Sequence, residues 1–300
     1  MNNIIKQKSE ILFCYDVTDA NPNGDPMDSN KPRIDEETKI NIVTDVRLKR
    51  TIRDYLYEYE GFNGKDGRDI FVREVIYDEE NKYIQDGKRR AKNFDNKLEK
   101  IIQACIDIRL FGGVIPLDKD SITFTGPVQF KMGRSLHPVE LKHIKGTGAF
   151  ASQDKSKQKT FRDEYVLPYS FIVFHGIIND KAARHTGLTE EDVKLLIKAM
   201  WYGTKNLISR SKFGQMPRFL LKVDYKDDNF FIGDLEKKIK LADVENIYKI
   251  RSTKDFTFDL SDLIKSFERY ANKIAKISYI VDNNLSIKPS IPENWEKISI

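Results

Sequence analysis

The chain reads as an α+β protein on three features of its sequence. A strand near the start alternates at period two, four amphipathic stretches space their apolar residues as helices do, and turn-rich segments separate them. With 300 residues, 40% of them apolar and 11% aromatic, it is long enough to bury a sizeable core, and one elaborated domain over 1–300 is the expectation. Nowhere do about 18 apolar residues run together, and the first ten residues hold no apolar leader core, so neither a membrane span nor membrane association is expected and a cytoplasmic location is. Cys14 and Cys105 fall in a strand and a helix pattern and read as small core residues.

Residues 9–18 place Ile11, Phe13, Tyr15 and Val17 on one side and Leu12, Cys14 and Asp16 on the other, a strand with a largely buried setting. Asn21-Pro22-Asn23-Gly24-Asp25-Pro26 is a run of turn formers and predicts a loop. A helix follows, capped by Thr44, with Leu48, Ile52, Tyr55, Leu56 and Tyr59 as its apolar stripe; Lys49, Arg50 and Arg53 fall outside that stripe. Residues 61–92 are polar and turn-rich around short apolar runs, the pattern of an inserted hairpin or arm. A second helix carries Leu98, Ile101, Ile102, Cys105, Ile106 and Leu110 and stops at Gly112-Gly113. Residues 121–130 and 169–178 read as strands, with a basic stretch between them broken by Gly146 and Gly148. Thr189 caps a third helix, Glu190, Glu191 and Asp192 load its first turn, and Val193, Leu196, Ile197, Met200 and Trp201 face inward. A basic loop at 209–218 leads to a strand at 219–225, and a last helix with Leu260, Leu263, Ile264, Phe267, Ala271 and Ile274 makes 227–300 a helical addition.

With the insertions and the second helix set aside, the order is strand, helix, strand, strand, helix, strand. That βαββαβ order is the ferredoxin-like one shared by RNA-recognition modules. The net charge of +5 is modest, but its distribution is uneven. Between 131 and 162 lie Lys131, Arg134, Lys142, Lys145, Lys155, Lys157, Lys159 and Arg162 against Glu140 and Asp154. Between 205 and 226 lie Lys205, Arg210, Lys212, Arg218, Lys222 and Lys226 against Asp224. The rest of the chain is therefore acidic, as in a protein with a localised polyanion-binding face, although two solvated loops would show the same counts.

His137, His143, His175 and His185 lack metal-ligand spacing. Asp16, Asp19, Asp25 and Asp28 lie close together, but among Asn, Pro and Gly they read as turn formers. No phosphate-loop, dinucleotide or nucleophile-elbow motif occurs. Polyanion binding has better support. Lys49 and Arg53 share a helix face, with Arg50 beside them, and such a row follows a phosphate backbone unless it is merely solvated. More specific is 209–218, where Ser209, Ser211, Gln215, Arg210, Lys212 and Arg218 surround Gly214, and Phe213 is available to stack on a base.

Five segments resemble the type I-B branch of the CRISPR-associated backbone subunits, the seventh Cas family of the RAMP superfamily (Csd/Csh type). They are Asn21-Pro22-Asn23-Gly24-Asp25-Pro26, Thr44-Asp45-Val46-Arg47-Leu48-Lys49-Arg50-Thr51-Ile52-Arg53, Asp107-Ile108-Arg109-Leu110-Phe111-Gly112, Thr125-Gly126-Pro127-Val128-Gln129-Phe130 and Ser209-Arg210-Ser211-Lys212-Phe213-Gly214-Gln215-Met216-Pro217-Arg218. The resemblance implies a palm of RNA-recognition type, with an arm (fingers) at 61–92 and a β-hairpin-like thumb at 131–164. Copies of such a subunit stack along a guide RNA, the crRNA, in the antiviral surveillance complex Cascade, and the guide pairs with target DNA. The implied partners are that RNA, other copies, the guide 5′-end-binding subunit, the large subunit and the guide-processing endonuclease. Implied RNA contacts are Asn23, Arg47, Lys49, Arg50, Arg53, Lys131, Arg134, Lys142, Lys145, Ser209, Arg210, Ser211, Lys212, Gln215 and Arg218. No cofactor, metal or catalytic residue is expected. Two other classes stay open, a metal-dependent ribonuclease of type III kind using Asp25 or Asp28, and a guide-processing endoribonuclease. Two further expectations follow: replacing Lys49 and Arg53 weakens RNA binding with the fold intact, and residues 142–159 stay mobile until RNA and a neighbouring copy order them.

Overall fold

The computed structural model of the chain describes residues 3–117, 121–151 and 159–300, with side chains at all of these except 147–151 and 159–162. The period-two pattern at the start is β1 (Ser9–Ala20). β2 (Gly24–Asp25) and β3 (Lys31–Pro32) fold the turn-rich loop back on itself, and β4 (Ile40–Val43) leads into α1 (Asp45–Tyr59). Thr44 caps α1, its hydroxyl accepting from the Arg47 amide at 3.3 Å. In the arm stretch, β5 (Ile76–Asp78) pairs with β6 (Tyr83–Ile84), and α2 (Gly87–Lys92) follows.

The second helix departs from its prediction. It is broken into α3 (Leu98–Ala104) and α4 (Ile106–Phe111) at Cys105, whose extended backbone bridges to Asp69. Helical apolar spacing runs straight through such a break, because the bridging partner is remote in sequence. β7 (Gly112–Pro116) and β8 (Ser121–Thr125) form a hairpin of their own, and only β9 (Val128–Phe130) joins the main sheet. The single strand expected over 121–130 is thus two, parted at Gly126-Pro127. Pro127 has no amide to donate, and a Cβ on Gly126 would lie 2.0 Å from the Phe111 carbonyl carbon.

β10 (Gly133–Pro138) enters the main sheet, and β11 (Lys142–Ala151) pairs antiparallel with the first half of β12 (Lys159–Ile178), from Lys142↔Val166 to Ala151↔Lys159. The sides of the basic stretch are thus a paired hairpin; its tip, residues 152–158, lies outside the described residues. α5 (Asp180–Thr186), which the sequence reading missed, precedes α6 (Glu190–Lys205), where Thr189 and Asp192 form a capping box. β13 (Gln215–Tyr225) starts inside the segment expected to be loop.

The C-terminal segment needs the largest correction. It was expected to be helical, yet it holds β14 (Lys240–Ala242), β15 (Thr257–Asp259), a single α-helix α7 (Ser261–Arg269) besides two short 3-10 turns, β16 (Ile274–Val281), β17 (Ile287–Lys288) and β18 (Glu296–Lys297) among the described residues. Ile274, placed on the helix by its spacing, opens β16, because β13 offers an edge that β16 takes up.

The main sheet has nine strands, running β18-β16-β13-β1-β12-β10-β4, with β9 and β11 also on β12. The alternation of β1 separates its two faces. Ile11, Phe13, Tyr15 and Val17 pack with Leu48, Ile52 and Leu56 of α1 and with Leu196 and Met200 of α6. Leu12 and Cys14 pack instead with Leu235, Phe258, Leu263 and Trp295 of the C-terminal layer. The N-terminus of α1 and the loop entering β13 consequently lie at one end of β1.

Candidate nucleic-acid interface

Two segments far apart in sequence meet beside the N-terminus of α1. The Thr18 amide donates to the Gly214 carbonyl at 3.1 Å, and the Asn21 amide to the Ser211 carbonyl at 2.8 Å. Gly214 has φ +110°, and a Cβ there would stand 2.6 Å from the Thr18 oxygen, so the close approach depends on glycine. Lys212 Nζ donates to the Asn21 carbonyl at 2.5 Å. Asn23 braces the start of the helix, Oδ1 accepting from the Thr44 amide at 2.8 Å and from its hydroxyl at 2.9 Å.

Arg47 and Lys212 face this junction, and neither makes an ion pair among the described residues. Arg47 Nη2 donates to the Thr51 hydroxyl at 3.0 Å, and its Nε is buried with no hydrogen-bond partner in this structure. Burial pushes the Lys212 ammonium down to about 8, and the Arg47 charge pushes in the same direction. Arg47 is likewise lowered, first by burial. Two half-buried cations, one lowering the other and neither held in an ion pair, are a site for an anion supplied from outside. Ser209 and Phe213 stand exposed beside it, and Phe213 is 67% accessible.

Most of the other expected contacts are already occupied. Lys49 pairs with Asp45 at 3.0 Å, and Arg50 pairs with Asp54 at 2.7 Å. Arg53 pairs at 2.9 Å with Asp107, which is wholly buried, so it is a core ion pair rather than an off-stripe surface cation. Arg218 reaches Asp16 at 2.9 Å and Asp282 at 2.7 Å, and Gln215 is buried and donates to the Lys212 carbonyl at 3.2 Å. Lys131 pairs with Asp234 at 2.7 Å and Glu236 at 2.8 Å. Arg210 lies 3.8 Å from Glu164, and Arg134, Lys142 and Lys145 are exposed on β10 and β11. Asp25 binds Arg33 and Asp28 binds Lys31, each at 2.6 Å.

One cluster had no signal in the sequence. His143 stacks on Tyr165 across the β11–β12 ladder with centroids 4.5 Å apart and meets Asp163 at 2.9 Å, while Lys31 lies 5.5 Å from the Tyr165 ring. It ties the turn-rich loop to the base of the basic hairpin.

A family model described as CRISPR-associated protein Cas7 matches residues 7–261. A CRISPR-associated protein Cas7 of Haloferax volcanii is 32% identical over 308 aligned positions, covering 93% of this chain and 88% of the relative. Among solved structures, a chain of a "CRISPR RNA-guided surveillance complex, pre-nicking" superposes with a TM-score of 0.58 at 12% identity, covering 98% of this chain and 96% of that one. A chain of a "CRISPR RNA-guided surveillance complex" gives 0.56 at 12% identity, with 98% and 95% covered. At that identity the two structures speak for the fold.

Proposed function

The chain belongs to the Cas7 family of CRISPR-associated proteins, and from that premise we propose that it is a guide-RNA-binding backbone subunit of a type I-B surveillance complex. The observation that carries this reading is the Arg47–Lys212 cleft, which holds two half-buried cations, neither in an ion pair among the described residues, beside a glycine-dependent loop and an exposed Phe213. Such a site takes a backbone phosphate, and Phe213 then meets a base by stacking. Because phosphates carry no sequence, copies at this site cover whatever guide is supplied, and the guide is left to pair with target DNA.

The unit of β1, α1, β9 with β10, β12, α6 and β13 serves as a ferredoxin-like palm; the lateral order β13-β1-β12-β10 supports that reading. The β5–β6 stretch is its arm, and the β11–β12 hairpin, with Lys142 and Lys145, is the thumb that reaches the next copy. Other subunits of the complex cap the two ends of the filament. The protein acts without catalysis, since Asp25 and Asp28 each spend their charge on a neighbouring cation.

The test is RNA binding by the purified protein across a salt series. If a copy makes roughly 6–10 phosphate contacts on a single strand, affinity falls by about 300- to 20,000-fold between 50 and 200 mM salt, whatever the spacer sequence. RNA of uniform length should co-purify from a host that carries the array, and RNA incubated with magnesium should stay uncut. Binding that tracks one sequence at constant salt, or magnesium-dependent cutting, contradicts the reading.

A further inference from the structure

Asp107 opens the Asp107-Ile108-Arg109-Leu110-Phe111-Gly112 motif, and its carboxylate is wholly buried. One oxygen, Oδ1, accepts from the Phe71 amide at 2.8 Å. The other, Oδ2, accepts from the Val72 amide at 3.1 Å and from Arg53 Nε on α1 at 2.9 Å. Phe71 and Val72 are the root of the arm, a few residues before β5. Arg90 of α2 returns to the same root, donating to the Phe71 carbonyl at 3.2 Å, the Ile70 carbonyl at 2.9 Å and the Asp69 carboxylate at 2.5 Å. Arg53 also lies 5.2 Å from the Phe111 ring of the motif. The arm and the helix that carries Arg47 therefore meet at one carboxylate.

Ala91 of α2 packs with Phe71, Ile101 and Ile115, but the β5–β6 hairpin beyond the root has little to hold its direction. Ile76, Tyr77, Tyr83 and Ile84 are all exposed, and an isolated two-stranded hairpin is only marginally stable. The chemistry at the root calls for an ionised acid. Whichever way it turned, an amide would set an N–H₂ against a donor, either the Phe71 amide or the Val72 amide and the Arg53 guanidinium. We infer that Asp107 is a positioning residue that sets the angle of the arm on α1, and with it the surface each copy presents to the next along a guide. The second half of this inference rests on the guide-binding reading above.

The experiment compares wild type with Asp107→Asn and with the double variant R53M/D107N, which removes the pair without stranding a buried charge. Amide hydrogen exchange is read at Phe71, Val72 and the β5–β6 amides, with β1 and β13 as the internal reference. In the double variant the root amides should exchange at least about tenfold faster while the reference amides keep their rates. Electron microscopy on a long RNA should show irregular spacing between copies, and affinity for an RNA too short for two copies should stay within about twofold, since no phosphate contact is lost. Root amides that exchange as in wild type overturn the inference. So does exchange that rises equally in root and reference, or a failure of both variants to fold, because each marks a purely structural residue. If the wild type binds no RNA, the guide-binding reading falls, and the exchange comparison still decides the joint.

Discussion

The outer face of α1 and the cleft at its N-terminus are both basic in sequence, and the structure treats them oppositely. Along the face, every cation has an acid within reach: Asp45 for Lys49, Asp54 for Arg50 and Asp107 for Arg53. In the cleft, Arg47 and Lys212 have a hydroxyl and a main-chain carbonyl respectively. A count of basic residues therefore overstates the charge available to a polyanion. What matters is whether an acid stands one turn away or on a neighbouring element.

The comparison is broken most directly at Arg53. Replacing it with Ala strands the Asp107 carboxylate in the core and should cost about 3–5 kcal/mol of stability, seen as an early melting transition. This replaces the expectation that Arg53 can be removed with the fold intact. If R53A melts like wild type and loses RNA, the assignment of the two regions is reversed. In the cleft, R47A/K212A should fold normally and bind RNA about 10²- to 10⁴-fold more weakly, at about 1.5–3 kcal/mol for each of the two charged hydrogen bonds. Its salt dependence should be shallower by about 1.4 in log–log slope, two single-strand phosphates' worth. K49A/R50A on the face should change both quantities little, each lost helix pair contributing about 0.3–0.5 kcal/mol.

A pH series sharpens the contrast. Lys212 is held at about 8 in the free protein, below its ordinary value of 10.5, so above pH 8 the cleft loses a charge that a bound phosphate would restore. Binding should then take up a proton, and affinity should fall by up to about tenfold per pH unit above 8. Lys212→Arg, which cannot deprotonate, should bind without that decline.

The smallest effect concerns His175, an imidazole with acids on both sides, and so the extreme of the paired class. Its Nε2 lies 2.7 Å from Glu10 and its Nδ1 2.8 Å from Glu236, which Lys131 also holds. Tyr225 donates its hydroxyl to the same Glu10. Burial opposes the charged ring, but the two carboxylates outweigh it and raise its pKa above 6.5. The stability this contributes is complete below pH 6.5 and is lost as pH rises through the raised folded value. Thermal melts from pH 6 upward should show that decline in wild type, and His175→Gln should flatten it.

Local patterns carried much of the architecture. The alternation of Ile11, Phe13, Tyr15 and Val17 against Leu12 and Cys14 already assigned the two faces of the sheet, and Thr44 and Thr189 marked the starts of α1 and α6. Lys212, Ser209 and Phe213 were visible as candidates because basic, hydroxyl and aromatic residues gather around Gly214, whereas Arg47 entered only as a contact implied by the family resemblance. The break at Cys105, the turn at Gly126 and the strand opened by Ile274 were not visible. Each is fixed by a partner far away in sequence, respectively Asp69, Phe111 and Tyr225.

The sequence by itself determined β1, α1, α6 and the later parts of β12 and β13, and that a basic surface exists, since periodicity, caps and composition are local quantities. Only the tertiary structure decided which cations remain free. Asp107 lies 54 positions from Arg53, and Asn21 lies 191 from Lys212. Whether a charge is cancelled depends on what folding brings within a few ångströms of it, where Coulombic attraction and desolvation are both strong.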